Sequence, residues 1–238
     1  MQPEQYVCTV CGYNMVGYHP HKCPFCGACD DTFITSQHCS DTYQVQETPV
    51  SEQVTRLNSV PVLGIEHAAY RIETPEKVYW IDCPSCFDKR LDAADVLMFT
   101  HHHFLGASNL YRQHFAADVR IHHNDSEHLF CRGFTFDSPF SSDFNENGIE
   151  AFHIDGHTPG FTIYFFADIL FICDYVFLHN GVMKFNPFGP HDETIIGGHT
   201  IIKLLQGRNI RTVCGYSSVT DYSVWEPLFN ELLERLPS

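Results

Sequence analysis

The chain has 238 residues, 44% hydrophobic and 18% charged, enough apolar matter for one ordinary domain plus a small module and too much for a disordered chain. Its formal net charge is -15, with 14 lysines and arginines against 29 acids, so polyanions are repelled and nucleic acid is not an expected partner. The 16 histidines outnumber all the lysines and arginines, and many of the 11 cysteines fall in C-x-x-C pairs. That usage points to metal chemistry rather than to a disulfide framework.

The opening residues, MQPEQYVC, show neither an apolar signal core nor a basic targeting stretch. With the cysteine usage, they predict a reducing cytoplasm. The next stretch, YVCTVCGYNMVGYHPHKCPFCGACDDTF, carries C-x-x-C-G-Y and then C-P-x-C-G-A, with eleven residues between Cys11 and Cys23. Two such knuckles each present a pair of thiolates, and together they close a tetrahedral site around zinc or iron. So short a segment cannot fold by hydrophobic burial alone; a bound metal worth roughly 10–16 kcal/mol can supply the difference. The segment resembles a rubredoxin domain of the short-loop kind found in rubrerythrins. The resemblance implies Cys8, Cys11, Cys23 and Cys26 as ligands of an iron that cycles by one electron, with Tyr6, Tyr13 and Phe33 as core rings. A zinc ribbon is the alternative. Cys29 and Cys39 fall outside the pattern and are expected to be plain thiols. Residues 1–35 therefore form the expected module. Residues 36–55, polar and broken by Pro49, form an expected linker that can pair as an edge strand.

From residue 56 short apolar runs alternate with turns. AAYRIE and KVYWIDC flank Thr-Pro-Glu as a predicted hairpin, and DVLMFT is a buried strand running into His101, His102 and His103. SNLYRQHF is a predicted helix and DVRIHH a strand. IEAFHIDGHTPGFTIYFF and ILFICDYVF supply three more strands. Their apolar stretch at 161–178 is long enough to cross a bilayer, but Asp168 and Asp174 make two buried strands with a turn at Ala167 and Asp168 the better reading. ETIIGGHTIIKLLQG holds a helix ended by Gly207, RTVCGYSS is a strand, and VWEPLFNELLERL is a terminal amphipathic helix. Strands covered by helices predict a layered α/β sandwich.

Four landmarks in order resemble the metallo-β-lactamase family over residues 56–238: YWIDCPS, THHHFLGASN, DGHTPGFT and LFICDYVF. The resemblance implies an αββα sandwich preceded by the rubredoxin-like module. It also implies one metal held by His101, His103 and His157, with Asp174 as the aspartate that two metals would share, and YWIDCPS bearing an aspartate behind the metals. The second metal's ligands fall at Leu105, Gly106 and Tyr216, none of which suits the role, so at most one ion, iron or zinc, is expected. Restoring Asp at 105 and His at 106 and 216 is the expected minimum for recruiting a second.

Persulfide dioxygenases of this fold use one iron, and their ligands match His101, His157 and Asp174, the expected catalytic set. The resulting expectation is an iron oxidoreductase, fed electrons by the module, acting on a small-molecule substrate and served by a redox partner protein. A single-metal hydrolase of esters, thioesters or lactones is the alternative, and a non-catalytic binding protein with a zinc ribbon the second. Cys83 and Cys86 read either as a redox pair or as two half-buried thiols. His102 is expected at the surface or behind the ligands, while His67, His179, His191 and His199 are ambiguous.

Overall fold

A computed structural model describes residues 4–235 and divides the chain into two compact units, Met1–Phe140 and Ser141–Ser238. The first unit opens with β1 (Gln5–Cys8) and β2 (Asn14–Val16), joined by β3 (Phe33–Thr35) in a small antiparallel sheet of order β2-β1-β3. Then come α1 (Ser36–Thr42), β4 (Gln44–Pro49), β5 (Val54–Val60), β6 (Ala69–Glu73), β7 (Val78–Ile81) and β8 (Val96–Met98). After them lie α2 (Ser108–Phe115), β9 (Asp118–Arg120) and α3 (His123–Ser126). Strands β4 to β9 form a six-stranded sheet in sequence order. Pairing is antiparallel as far as β7 and parallel for β7, β8 and β9. Val96, Leu97 and Met98 are all buried, as a central parallel strand covered on both faces requires.

The segment expected as a linker, residues 36–55, holds α1 and β4. Thr35 caps α1 by accepting the His38 N–H, and β4 lies at the sheet edge, where Pro49 costs no ladder bond. Nor do residues 1–35 stand apart from the sheet that follows. Val7 and Ile34 pack into the same core as Leu57, Trp80 and Leu97.

The second unit contains β10 (Phe144–Glu146), β11 (Ile149–His153), β12 (Thr162–Phe166) and β13 (Ile169–Cys173). It continues with β14 (Val176–His179), β15 (Val182–Phe185), α4 (His191–Leu205), β16 (Thr212–Gly215), β17 (Val219–Asp221) and α5 (Tyr222–Glu234). Six strands pair in the order β10-β11-β12-β13-β16-β17, with β13 and β16 parallel across the α4 connection, while β14 and β15 form a separate hairpin. Residues 161–178 are indeed not a helix: β12 and β13 turn at Ala167, whose φ is 52°. Among the described residues no helix is long and apolar enough to cross a membrane. Ile163, Phe165, Leu170, Ile172, Trp225 and Phe229 share this unit's core.

Candidate metal centres

The two cysteine knuckles have the same backbone. Gly12 N–H donates to Cys8 O and Cys8 N–H to Tyr13 O; Gly27 N–H donates to Cys23 O and Cys23 N–H to Ala28 O, at 2.7–3.0 Å. Each turn thereby aims its two sulfurs inward. Cys8 Sγ lies 3.7 Å from Cys26 Sγ, and Cys11 Sγ 3.6 Å from Cys23 Sγ. A tetrahedral ion with metal–sulfur bonds of about 2.3 Å needs edges of about 3.8 Å. These two edges match that geometry and all four sulfurs lie within 4.8 Å of one another, a set suited to zinc or iron, and hydrogen bonds from Cys11 and Cys23 hold the Cys8 thiol well below its usual range. Cys29 lies exposed and Cys39 buried, both outside this set.

The knuckles press on the histidine turn of the same unit. Phe25, between Cys23 and Cys26, meets Phe104 edge-on at 4.7 Å and His103 at 5.7 Å between ring centroids. Tyr13 stacks on Phe25 and donates its hydroxyl to Phe130 O at 2.9 Å.

His101, His102 and His103 follow the carboxyl end of β8, the position where open sheets place their ligands. Asp82, just after β7, accepts Thr100 N–H at 2.9 Å and the Thr100 hydroxyl at 3.0 Å. That hydroxyl lies 2.9 Å from His101 Nδ1. With its single proton directed at Asp82, Thr100 Oγ1 can only accept from Nδ1–H, which leaves the Nε2 lone pair for a metal. Thr100→Val keeps the shape and removes the relay. It is expected to weaken metal binding at His101 by roughly 10–100-fold, measured by chelator competition; unchanged affinity would show that Thr100 serves only the fold.

His102 is buried rather than at the surface. Its Nδ1 lies 3.1 Å from Asp125 Oδ2, and its ring stacks on His128 at 3.8 Å. Asp125 also accepts the His102 backbone N–H, so this buried carboxylate anchors the main chain beside the ring. His67 is buried and stacks on His101 at 5.2 Å. Leu105 belongs to the apolar core, and Gly106 sits at a φ of 54° against the Cys83–Pro84 backbone. A Cβ added there would collide with both carbonyl oxygens, and Pro84 O is held in place by the Ala107 N–H at 2.8 Å. The space for a histidine at 106 is thus filled by main chain. Cys83 and Cys86 are buried, not half-buried. Burial raises both thiols, Cys86 to about 12, which opposes the redox-pair reading.

In the second unit His157 follows the turn Asp155–Gly156, where a Cβ on Gly156 would stand 2.6 Å from the Tyr175 hydroxyl. His157 Nε2 lies 3.6 Å from Asp174 Oδ2, and both are buried. Asn186, which the sequence reading did not single out, closes this pair. Its side-chain oxygen accepts Phe188 N–H at 3.0 Å, which turns Nδ2 toward Asp174 Oδ2 at 2.9 Å and His157 Nε2 at 3.2 Å. The amide donates to the same lone pairs that would face a cation. Tyr216 packs on Phe177, and its N–H donates to Cys173 O at 2.9 Å, while His179, His191 and His199 are exposed.

Two six-stranded sheets of this connectivity make a mixed α/β fold, with imidazoles and a carboxylate just beyond strand ends. The chain has the metallo-β-lactamase fold. It is similar to VMB-1 at 16% identity and a TM-score of 0.66, over 82% of this chain and 98% of that one. It is similar also to a metallo-β-lactamase from Pontibacter korlensis at 15% identity and a TM-score of 0.63, over 81% and 100% of the two chains. The archaeal superfamily protein ST1585 from Sulfolobus tokodaii matches at 15% identity and a TM-score of 0.52, over 69% and 79%. No family model matches the sequence, and no curated protein does.

Proposed function

We propose that the protein is a metalloenzyme holding one ion with His101, His103, His157 and Asp174, and a second, an iron, with Cys8, Cys11, Cys23 and Cys26, the thiolate site serving the first with electrons. The four cysteines form a candidate metal group within the first unit. When bound, iron in the thiolate site would supply one-electron chemistry, and the ion among the imidazoles would supply redox or Lewis-acid chemistry toward a small-molecule substrate. The protein's own part is to prepare ligands. Asp82 and Thr100 fix the His101 tautomer, Asn186 holds Asp174 beside His157 with an amide that an ion would displace, and the backbone at Gly106 leaves no room for a ligating side chain there. The observation that carries the redox reading is Phe25, which joins the cysteine knuckle directly to the His103 ring. The C-x-x-C spacing of the cysteines fits a reducing cytoplasm, and the net charge of -15 argues against nucleic acid. A partner protein would deliver electrons to the cysteine module.

Protein purified without added metal is expected to be red, with thiolate-to-iron bands that bleach on reduction. Elemental analysis should find one ion in the thiolate site and at most one in the other. Colourless protein carrying only zinc would retire the redox reading. It would leave the single-metal hydrolase of esters, thioesters or lactones, which the fold's likeness to metallo-β-lactamases favours.

A further inference from the structure

We infer that Phe25 is a positioning residue through which the four-cysteine metal holds His103 in its ligating place, so that filling the first site raises the affinity of the second. The inference rests on the proposal that His103 is a metal ligand. Phe25 lies between two thiolate ligands in the sequence Cys23-Pro24-Phe25-Cys26, so an ion that grips Cys23 and Cys26 fixes the backbone on either side of it. Its ring is bounded by Phe104, His103 and Phe130, with centroids at 4.7, 5.7 and 5.7 Å. Phe104 carries the same wall onward: its ring lies 4.2 Å from His67, which stacks on His101. The other knuckle grips from the far side through the Tyr13 hydroxyl on Phe130 O.

Edge-to-face rings at these separations attract and orient one another. His103 is only half-buried and meets Phe25 edge-on, whereas His101 is tied to Thr100 and Asp82. His103 thus has the Phe25 and Phe130 edges as part of its surroundings. Without the first ion, the knuckle keeps its backbone hydrogen bonds, Gly27 N–H to Cys23 O and Cys23 N–H to Ala28 O, but loses the clamp across its two sulfurs, and Phe25 gains freedom to shift from the His103 edge. Linkage is reciprocal, so an ion on His103 tightens the thiolate site by the same factor.

The test is a cobalt(II) titration of the full chain with zinc already in the thiolate site, read by chelator competition and by the visible bands of cobalt in a nitrogen and oxygen site. In Phe25→Ala the thiolate zinc should stay, while cobalt affinity falls about tenfold, as for losing a group that supports a ligand, and the bands shift. Phe25→Tyr should restore wild-type affinity and bands. Cys26→Ser, which empties the thiolate site, should weaken cobalt binding at least as much, and combining it with Phe25→Ala should lower it no further. If Phe25→Ala fails to fold, Phe25→Leu, which keeps apolar bulk without a ring edge, should show the same loss. Unchanged cobalt affinity in these variants, or additive losses, overturns the coupling alone. A wild-type chain that binds no cobalt beyond the thiolate site, as a His157→Ala control would, overturns the one-ion reading and the coupling with it.

Discussion

Gly106→Ala is expected to lower the midpoint of thermal unfolding by roughly 10 °C, from a destabilisation of about 3–4 kcal/mol in a chain of this size. Two costs combine. A residue with a Cβ pays roughly 1–2 kcal/mol for the left-handed conformation that Gly106 adopts at a φ of 54°. The new carbon must then displace the carbonyls of Cys83 and Pro84, which are anchored because Pro84 O takes the Ala107 N–H and Cys83 is fully buried. Calorimetry on the purified variant checks this, and metal analysis of Gly106→His should still find no additional ion. A variant as stable as the parent would mean that the Cys83–Pro84 turn yields easily and that the space beside His103 is open.

Cys23→Ser has the other large expected effect. It should strip the ion from the four-cysteine site and, because such an ion is worth roughly 10–16 kcal/mol to a small module, unfold β1 to β3. The sequence alone suggests that the damage stops near residue 35. The shared core of Val7 and Ile34 with Leu57, Trp80 and Leu97 extends it into the first sheet. Hydrogen exchange should show lost protection in β1 to β3, in the 101–107 turn and in the adjoining strands. Residues 141–238 have a core of their own and should keep theirs. Loss confined to residues 1–35 would instead make the module energetically separate.

Local signals explain what the sequence revealed. The cysteine cluster is readable because a knuckle is a short-range object, set by C-x-x-C-G and its turn. α2 occupies Ser108–Phe115, as its pattern predicts, because Ala116 ends it in a left-handed cap. β12 and β13 are readable because two apolar runs meet at a turn. What escaped depends on partners distant in sequence. β4 is polar along most of its length, since an edge strand with one buried residue carries no alternation, and α1 buries only Cys39. Asn186 carries no motif; its role appears only when the β14–β15 hairpin returns the chain to Asp174. Asp125 is equally silent, one acid among polar neighbours until α3 brings it under His102. The fold itself was legible from its strand-end histidines and the G-H-T-P-G turn, while the exclusion at Gly106 required the Cys83–Pro84 main chain to be seen.

That main-chain contact has an evolutionary reading. Had the second ion's ligands simply been lost, point substitutions could restore them one at a time. Here each single step back is uphill. An aspartate at 105 would put a carboxylate into the core among apolar side chains, and any side chain at 106 meets backbone. Only a concerted change, rebuilding the 82–86 turn together with 105–106, reopens the space. On the proposed one-ion reading the shape of the chain acts as a ratchet, and a laboratory route to a two-ion descendant has to begin by transplanting a loop.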